Sequence, residues 1–211
     1  MVSAAYPAWF NMEAELFWAL CVFATVSSVT PGPNNMMLLA SGVNFGFRAT
    51  LAHMMGISIG FTVMLVAVGA GLGVALLAVP LLHDVLRGLC ALYMLYLAYS
   101  LARSGGLGGE KARARPMRFI EAALFQWVNP KAWAMGLTAM TAYTVPDPFW
   151  FSIFVVAVVF GVINLPCIAL WAGFGVGLRG FLSDPLRLRL FNGAMAVLLL
   201  LSTLPLLWDG K

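Results

Sequence analysis

The chain has 211 residues, of which 62% are hydrophobic and 9% charged, with 12 Lys and Arg against 8 Asp and Glu. Soluble domains carry about 25% charged residues, so this chain has too few charges to solvate a globule of its size. Its mean hydropathy of +0.94 points to an integral membrane protein. The same figures exclude a disordered chain, which needs low hydrophobicity and high charge.

Six apolar stretches come near the ~20 residues that cross a bilayer as a helix. They run over 16–43, 51–82, 88–102, 119–143, 149–178 and 190–208. Period-2 alternation over ten-residue segments is absent, so helices and not an outer-membrane barrel are expected. The fold class predicted is all-α integral membrane, with six transmembrane helices. Ahead of the first stretch the earliest ionisable side chains are Glu13 and Glu15. A secretory signal has a basic start, so this stretch is expected to stay in the mature protein.

The first stretch is interrupted by Thr30-Pro31-Gly32-Pro33-Asn34-Asn35. Two prolines remove backbone donors and break the helical bonding before them, and Pro33 disfavours helix at Gly32. At ~1.5 Å per residue the break lies roughly 20 Å into the helix. Backbone polar groups freed there must be buried in protein or line a wet cavity.

The second stretch carries His53 near one end, and the glycine pairs Gly42/Gly46, Gly56/Gly60, Gly69/Gly73 and Gly173/Gly177 have the spacing of close helix packing. Arg87 and Arg103 bracket the short third stretch, and both can snorkel to an interface. Residues 104–118 are a Gly-rich, basic linker. Beyond it, Gln126-Trp127-Val128-Asn129-Pro130-Lys131 interrupts the fourth stretch at the position matching the first break. Paired broken helices in corresponding places are a sequence pointer to a transporter's binding site. A third irregularity, Asn164-Leu165-Pro166, either widens a cavity or only kinks the fifth helix. Trp9, Trp18, Trp150 and Trp208 read as interface anchors.

Charge sets the expected orientation. With the linker inside, Arg48, Arg103, Lys111, Arg113, Arg115, Arg118, Arg179, Arg187 and Arg189 all lie in the cytoplasm, against Arg87 and Lys211 outside. Both termini then face out. Topology accounts for the net charge of +4, and no nucleic-acid partner is expected. Three spans before the linker and three after it invert the second half. The predicted organisation is therefore 1–103 as one three-helix repeat, 104–118 as linker and 119–211 as the inverted repeat.

Lys131 is the single ionisable side chain left near mid-membrane, where a charge is costly unless compensated. It is predicted to meet a substrate carboxylate or to exchange protons. The acids Glu13, Glu15, Asp84, Glu110, Glu121, Asp147, Asp184 and Asp209 all fall in loops or at span ends. A substrate ammonium is thus left to freed carbonyls with Asn34, Asn35 and Asn129. Glu121 and His53 are weaker candidates for a proton relay. Cys21, Cys90 and Cys167 are odd in number and sit in apolar runs, so buried thiols are expected. No metal-ligand spacing, nucleophile motif or nucleotide loop is present, so neither a cofactor nor enzymatic chemistry is expected.

The Thr30–Asn35 motif, the glycine rhythm at Gly42, Gly46, Gly56 and Gly60, and the element Asn129-Pro130-Lys131 resemble the LysE/RhtB amino-acid exporter family. The similarity extends over essentially the whole chain. Many members carry Asp where Asn34 stands. Gly46-Phe47-Arg48, the stretch Gly56-Ile57-Ser58-Ile59-Gly60-Phe61 and Ala122–Asn129 are similar to the branch exporting cysteine and O-acetylserine. The resemblance implies a bacterial inner-membrane exporter of a small neutral amino acid, working by alternating access with proton antiport. Thr30, Pro31, Gly32, Pro33, Asn34, Asn35, Gln126, Asn129, Pro130, Lys131 and Asn164 are its expected translocation residues. A homodimer is compatible with the glycine faces. The alternatives are an exporter of another small solute or a metal cation, for which Met36 and Met37 follow the first break without a Cys there, an intramembrane enzyme, or a structural subunit.

Overall fold

The computed structural model describes residues 8–103 and 115–202. Most of the expected linker and both chain ends, including Trp208 and Lys211, lie outside them. The described residues are helical: α1 Ala8–Val29, α2 Pro33–Phe45, α3 Phe47–Ala67, α4 Gly73–Ala78, α5 Pro80–Ala102, α6 Phe119–Phe125, α7 Pro130–Tyr143, α8 Phe149–Leu178 and α9 Pro185–Leu201. Three segments are each long and apolar enough to cross a membrane: Phe47–Leu76, Asp84–Ala102 and Phe149–Leu178. The pair Ala14–Val29 and Pro33–Phe45, bent by 54°, makes a fourth if taken as one span. Large apolar side chains face outward along these helices, Val162, Phe174 and Phe154 among them. Such a surface suits lipid and not water.

Prolines decide where the first helix breaks. Thr30 still closes the last turn of α1, its N–H donating to the Val26 carbonyl at 3.0 Å. Gly32 then runs fully extended, and Pro33 opens α2, where its missing N–H costs nothing. The second break is built differently. After α6 a 3-10 turn, Gln126–Val128, tightens the chain, Asn129 is extended, and Pro130 opens α7. The Asn129 side chain accepts from the Lys131 N–H at 3.1 Å and caps α7. By contrast α8 runs unbroken through Pro166, so the third irregularity does not divide a helix.

Between α2 and α3 the chain reverses at Gly46, whose φ of 85° is one that few other residues adopt. Before α4 a π-helical turn, Val68–Leu72, holds Gly71 at φ 116°.

Small residues set the helix contacts. A Cβ added at Gly42 of α2 would stand 3.2 Å from the Gly175 Cα of α8 and would overlap the Ala172 carbonyl. One added at Gly60 of α3 would meet the Ala123 Cα of α6 at 2.5 Å. Gly173 and Gly177 depart from the packing expectation, since nothing lies within 4 Å of where their side chains would be. That spacing on α8 faces outward.

The packing pairs elements from either side of the linker. α1 lies along α8, and α6 along α3. α3 also packs on α8, and α5 on α9. One apolar core gathers Leu20, Phe61, Met64, Trp133, Ile153 and Phe160. A second gathers Met36, Met54, Met94, Phe125, Ile168 and Leu199. Phe61 of the first and Ile168 of the second both line the cavity described next.

Candidate functional site

Breaking α1 frees the carbonyls of its last residues, because Pro33 has no N–H to offer Val29. The carbonyls of Ser28, Val29 and Thr30 receive donors from elsewhere. The Trp171 indole of α8 donates to the Val29 carbonyl at 3.1 Å. Asn35 Nδ2 donates to the carbonyls of Ser28 at 2.9 Å and Thr30 at 2.8 Å. The Lys131 ammonium reaches across from α7 to the Thr30 carbonyl. A helix C-terminus carries partial negative charge, so it is a favourable seat for that cation.

The second break is tied to the first. Asn34 Nδ2 donates to Gln126 Oε1 at 2.8 Å, and Gln126 Nε2 returns a bond to Asn34 Oδ1 at 3.2 Å. Gln126 also donates to the Ala122 carbonyl at 2.9 Å and is fully buried. Trp133 Nε1 donates to the Trp127 carbonyl at 2.9 Å, bracing the turn into α7.

Where the breaks meet, a cavity encloses about 330 Å³ of space unfilled by atoms, its open mouth included. Gly32, Asn34 and Asn35 enter it from the first break. Gln126, Asn129 and Lys131 enter from the second, and Asn164 from α8. The structure thus brings together seven of the residues singled out by sequence. Thr30, Pro31, Pro33 and Pro130 do not line the cavity; they shape the breaks that open it. Among the described residues that line it, Lys131 is the one that is charged and none is a carboxylate.

Sequence reasoning missed Ser27, Ser28, Phe61, Ala132, Met135 and Ile168, which complete the lining. The two serines are the polar residues closest before the first break, which is a signal that was readable. Ser28 Oγ is buried without a hydrogen-bond partner among the described residues. An orphaned buried hydroxyl calls for an explanation, and a polar ligand in the cavity supplies one. Trp171 had no signal in the sequence, since its donor role depends on how α8 packs.

The remaining relay candidates lie away from the cavity. His53 is buried in α3 with 1% exposure. Glu121 accepts two bonds from Arg115, at 2.7 and 3.1 Å, and one from the Arg118 N–H at 2.9 Å. The Glu121 carboxylate, by accepting these bonds, holds the Arg115 guanidinium above its ordinary pKa. Among the described residues no three His, Cys, Asp or Glu side chains come together as a metal site.

The LysE type translocator model matches residues 25–210. The chain belongs to the LysE type translocator family. Two relatives named cysteine/O-acetylserine efflux protein are similar to it. That of Salmonella paratyphi A is 32% identical over 137 residues, covering 64% of this chain and 69% of the relative. That of Escherichia coli K12 is 31% identical over the same span and coverage. No solved structure matches. As a LysE type translocator the chain is a membrane transporter and not an enzyme.

Proposed function

We propose that this translocator exports small amino acids from the cytoplasm by alternating access. The cavity at the meeting of two broken helices is the observation that carries the reading, since it joins an ammonium, amide side chains and an orphaned hydroxyl. An amino acid offers a carboxylate for Lys131 and an ammonium for the α1 carbonyls. The first turns of α2 and α7 present amides from the positive ends of their dipoles, a further support for a carboxylate. Phe61, Met135 and Ile168 provide apolar wall for a small side chain. Cysteine and O-acetylserine, named in the relatives' descriptions, are the first solutes to test.

We read the architecture as six spans in two inverted repeats, 1–103 and 119–211, joined by a cytoplasmic linker, with both termini outside a bacterial inner membrane. The reciprocal packing supports it: the first leg of each broken helix lies along the middle helix of the other half. Rocking of the halves about the fixed cavity then alternates access. Proton antiport supplies the energy in this reading, with Lys131 as the exchangeable group inside the cavity.

Counterflow in proteoliposomes tests the proposal. Purified protein, loaded with unlabelled amino acid, is expected to accumulate labelled cysteine, and a competitor panel ranks the solutes. No accumulation with any member of the panel would make the amino-acid reading wrong.

A further inference from the structure

The seat best suited to a substrate's ammonium is already taken by the protein's own. Lys131 Nζ donates to the Thr30 carbonyl, and Thr30 ends a helix whose last carbonyls carry partial negative charge. Gly32 makes room for this reach. A Cβ at Gly32 would stand 2.6 Å from Lys131 Cδ and 3.3 Å from its Nζ. The backbone there is extended, so it is the passing lysine and not the conformation that favours glycine; a side chain at this position would make the lysine shift.

We propose that Lys131 is a tethered stand-in for the substrate ammonium and thereby filters substrates by charge. This rests on the amino-acid reading above and adds to it the substrate's charge class. An incoming ammonium must displace Lys131 from Thr30. A zwitterion brings a carboxylate to receive the displaced lysine, so the cavity's net charge is unchanged. An amine without a carboxylate leaves two cations in a wall with no acid among its described residues. Like charges a few ångströms apart in a partly desolvated site repel strongly. The filter therefore admits zwitterionic amino acids and rejects simple amines and amino acids of net positive charge. Ser28 Oγ, buried and without a partner among the described residues, is an acceptor that Lys131 leaves unused and that an incoming ammonium could take.

The test compares cysteine with cysteamine, which lacks only the carboxylate, as competitors of labelled cysteine counterflow at neutral pH under reducing conditions. Wild-type protein is expected to bind cysteamine at least about tenfold more weakly than cysteine. In Lys131→Met, cysteine weakens, cysteamine strengthens, and their ratio moves by roughly tenfold or more. Lys131→Arg keeps the charge and the wild-type ratio. Wild-type exchange of cysteine with an unchanged ratio in folded Lys131→Met overturns the filter and leaves the transport reading standing. A wild-type protein that exchanges no amino acid sinks the transport reading itself, and the filter with it. Should Lys131→Met not fold, Gly32→Ala serves, because its methyl pushes the lysine off Thr30 while keeping the charge. Cysteine is then expected to bind more tightly with cysteamine still excluded, and an equal gain for cysteamine overturns the proposal.

Discussion

Asn34 and Gln126, 92 residues apart, exchange two hydrogen bonds and so tie one broken helix to the other. Gln126 is fully buried and spends its second N–H on the Ala122 carbonyl. The pair fixes the start of α2 against the turn that follows α6, which sets the distance across which Lys131 reaches Thr30.

Gln126→Leu is expected to leave the Asn34 amide without its partner inside the protein. Losing such a bond at the half-buried Asn34 amide costs about 0.5–1.5 kcal/mol. The variant should lose thermal stability by that order and lose cysteine counterflow with it. Gln126→Glu keeps an acceptor for Asn34 Nδ2, so it should retain more of both. Heating followed by size-exclusion chromatography measures the first effect. If Gln126→Leu is as stable and active as wild type, the amide pair does not hold the two breaks together.

Both breaks were legible because they follow from covalent facts near them. Proline has no N–H wherever it sits, so Pro31, Pro33 and Pro130 mark interruptions without knowledge of the fold. What the breaks attach to was not legible. The Lys131 contact with Thr30 spans 101 residues and the Trp171 contact with Val29 spans 142. Such pairings depend on the register of packed helices, which local pattern does not encode. Glycine spacing shows the same limit. Gly42 and Gly60 press against backbone, whereas Gly173 and Gly177, with the same spacing, touch nothing. Spacing shows that a helix face is small, but not whether another helix lies on it.

That difference gives a paired expectation. Gly42→Ala places a methyl into the Ala172 carbonyl, and backbone there has little freedom to yield. Overpacking costs about 1–3 kcal/mol, so the protein should unfold at a lower temperature and transport more slowly. Gly177→Ala adds a methyl to open space in the last turn of α8, where the gain in helix propensity is smaller than the ~1 kcal/mol of a helix interior. Its melting temperature should match or exceed that of wild type. Equal losses in the two variants would contradict the placement of α2 on α8.

Trp171→Phe keeps most of the ring and removes the N–H that serves the Val29 carbonyl. A hydrogen bond of this kind contributes about 0.5–1.5 kcal/mol net. Pro33 offers no replacement donor, so the end of α1 should loosen against α8. The expected outcome is a modest stability loss with a larger fall in counterflow rate. Amide exchange followed by mass spectrometry should locate the loosening to peptides covering 24–36. Protection there equal to wild type would show that the indole bond does not brace the break.

Ser28→Ala separates binding from folding. Ser28 lines the cavity, and its Oγ is buried with no partner among the described residues, so the folded protein gains no hydrogen bond from it. Removing an unsatisfied buried hydroxyl relieves a desolvation cost, and the variant should be at least as stable as wild type. Substrate binding is expected to suffer instead, since the hydroxyl's unused capacity is available to a bound ammonium. Loss of one such bond, about 0.5–1.5 kcal/mol, corresponds to a half-saturating concentration raised by roughly two- to tenfold. Cysteine-dependent counterflow and thermal unfolding on the same preparation read both quantities. A destabilised Ser28→Ala with unchanged affinity would mean that the hydroxyl serves the fold and that substrate does not touch it.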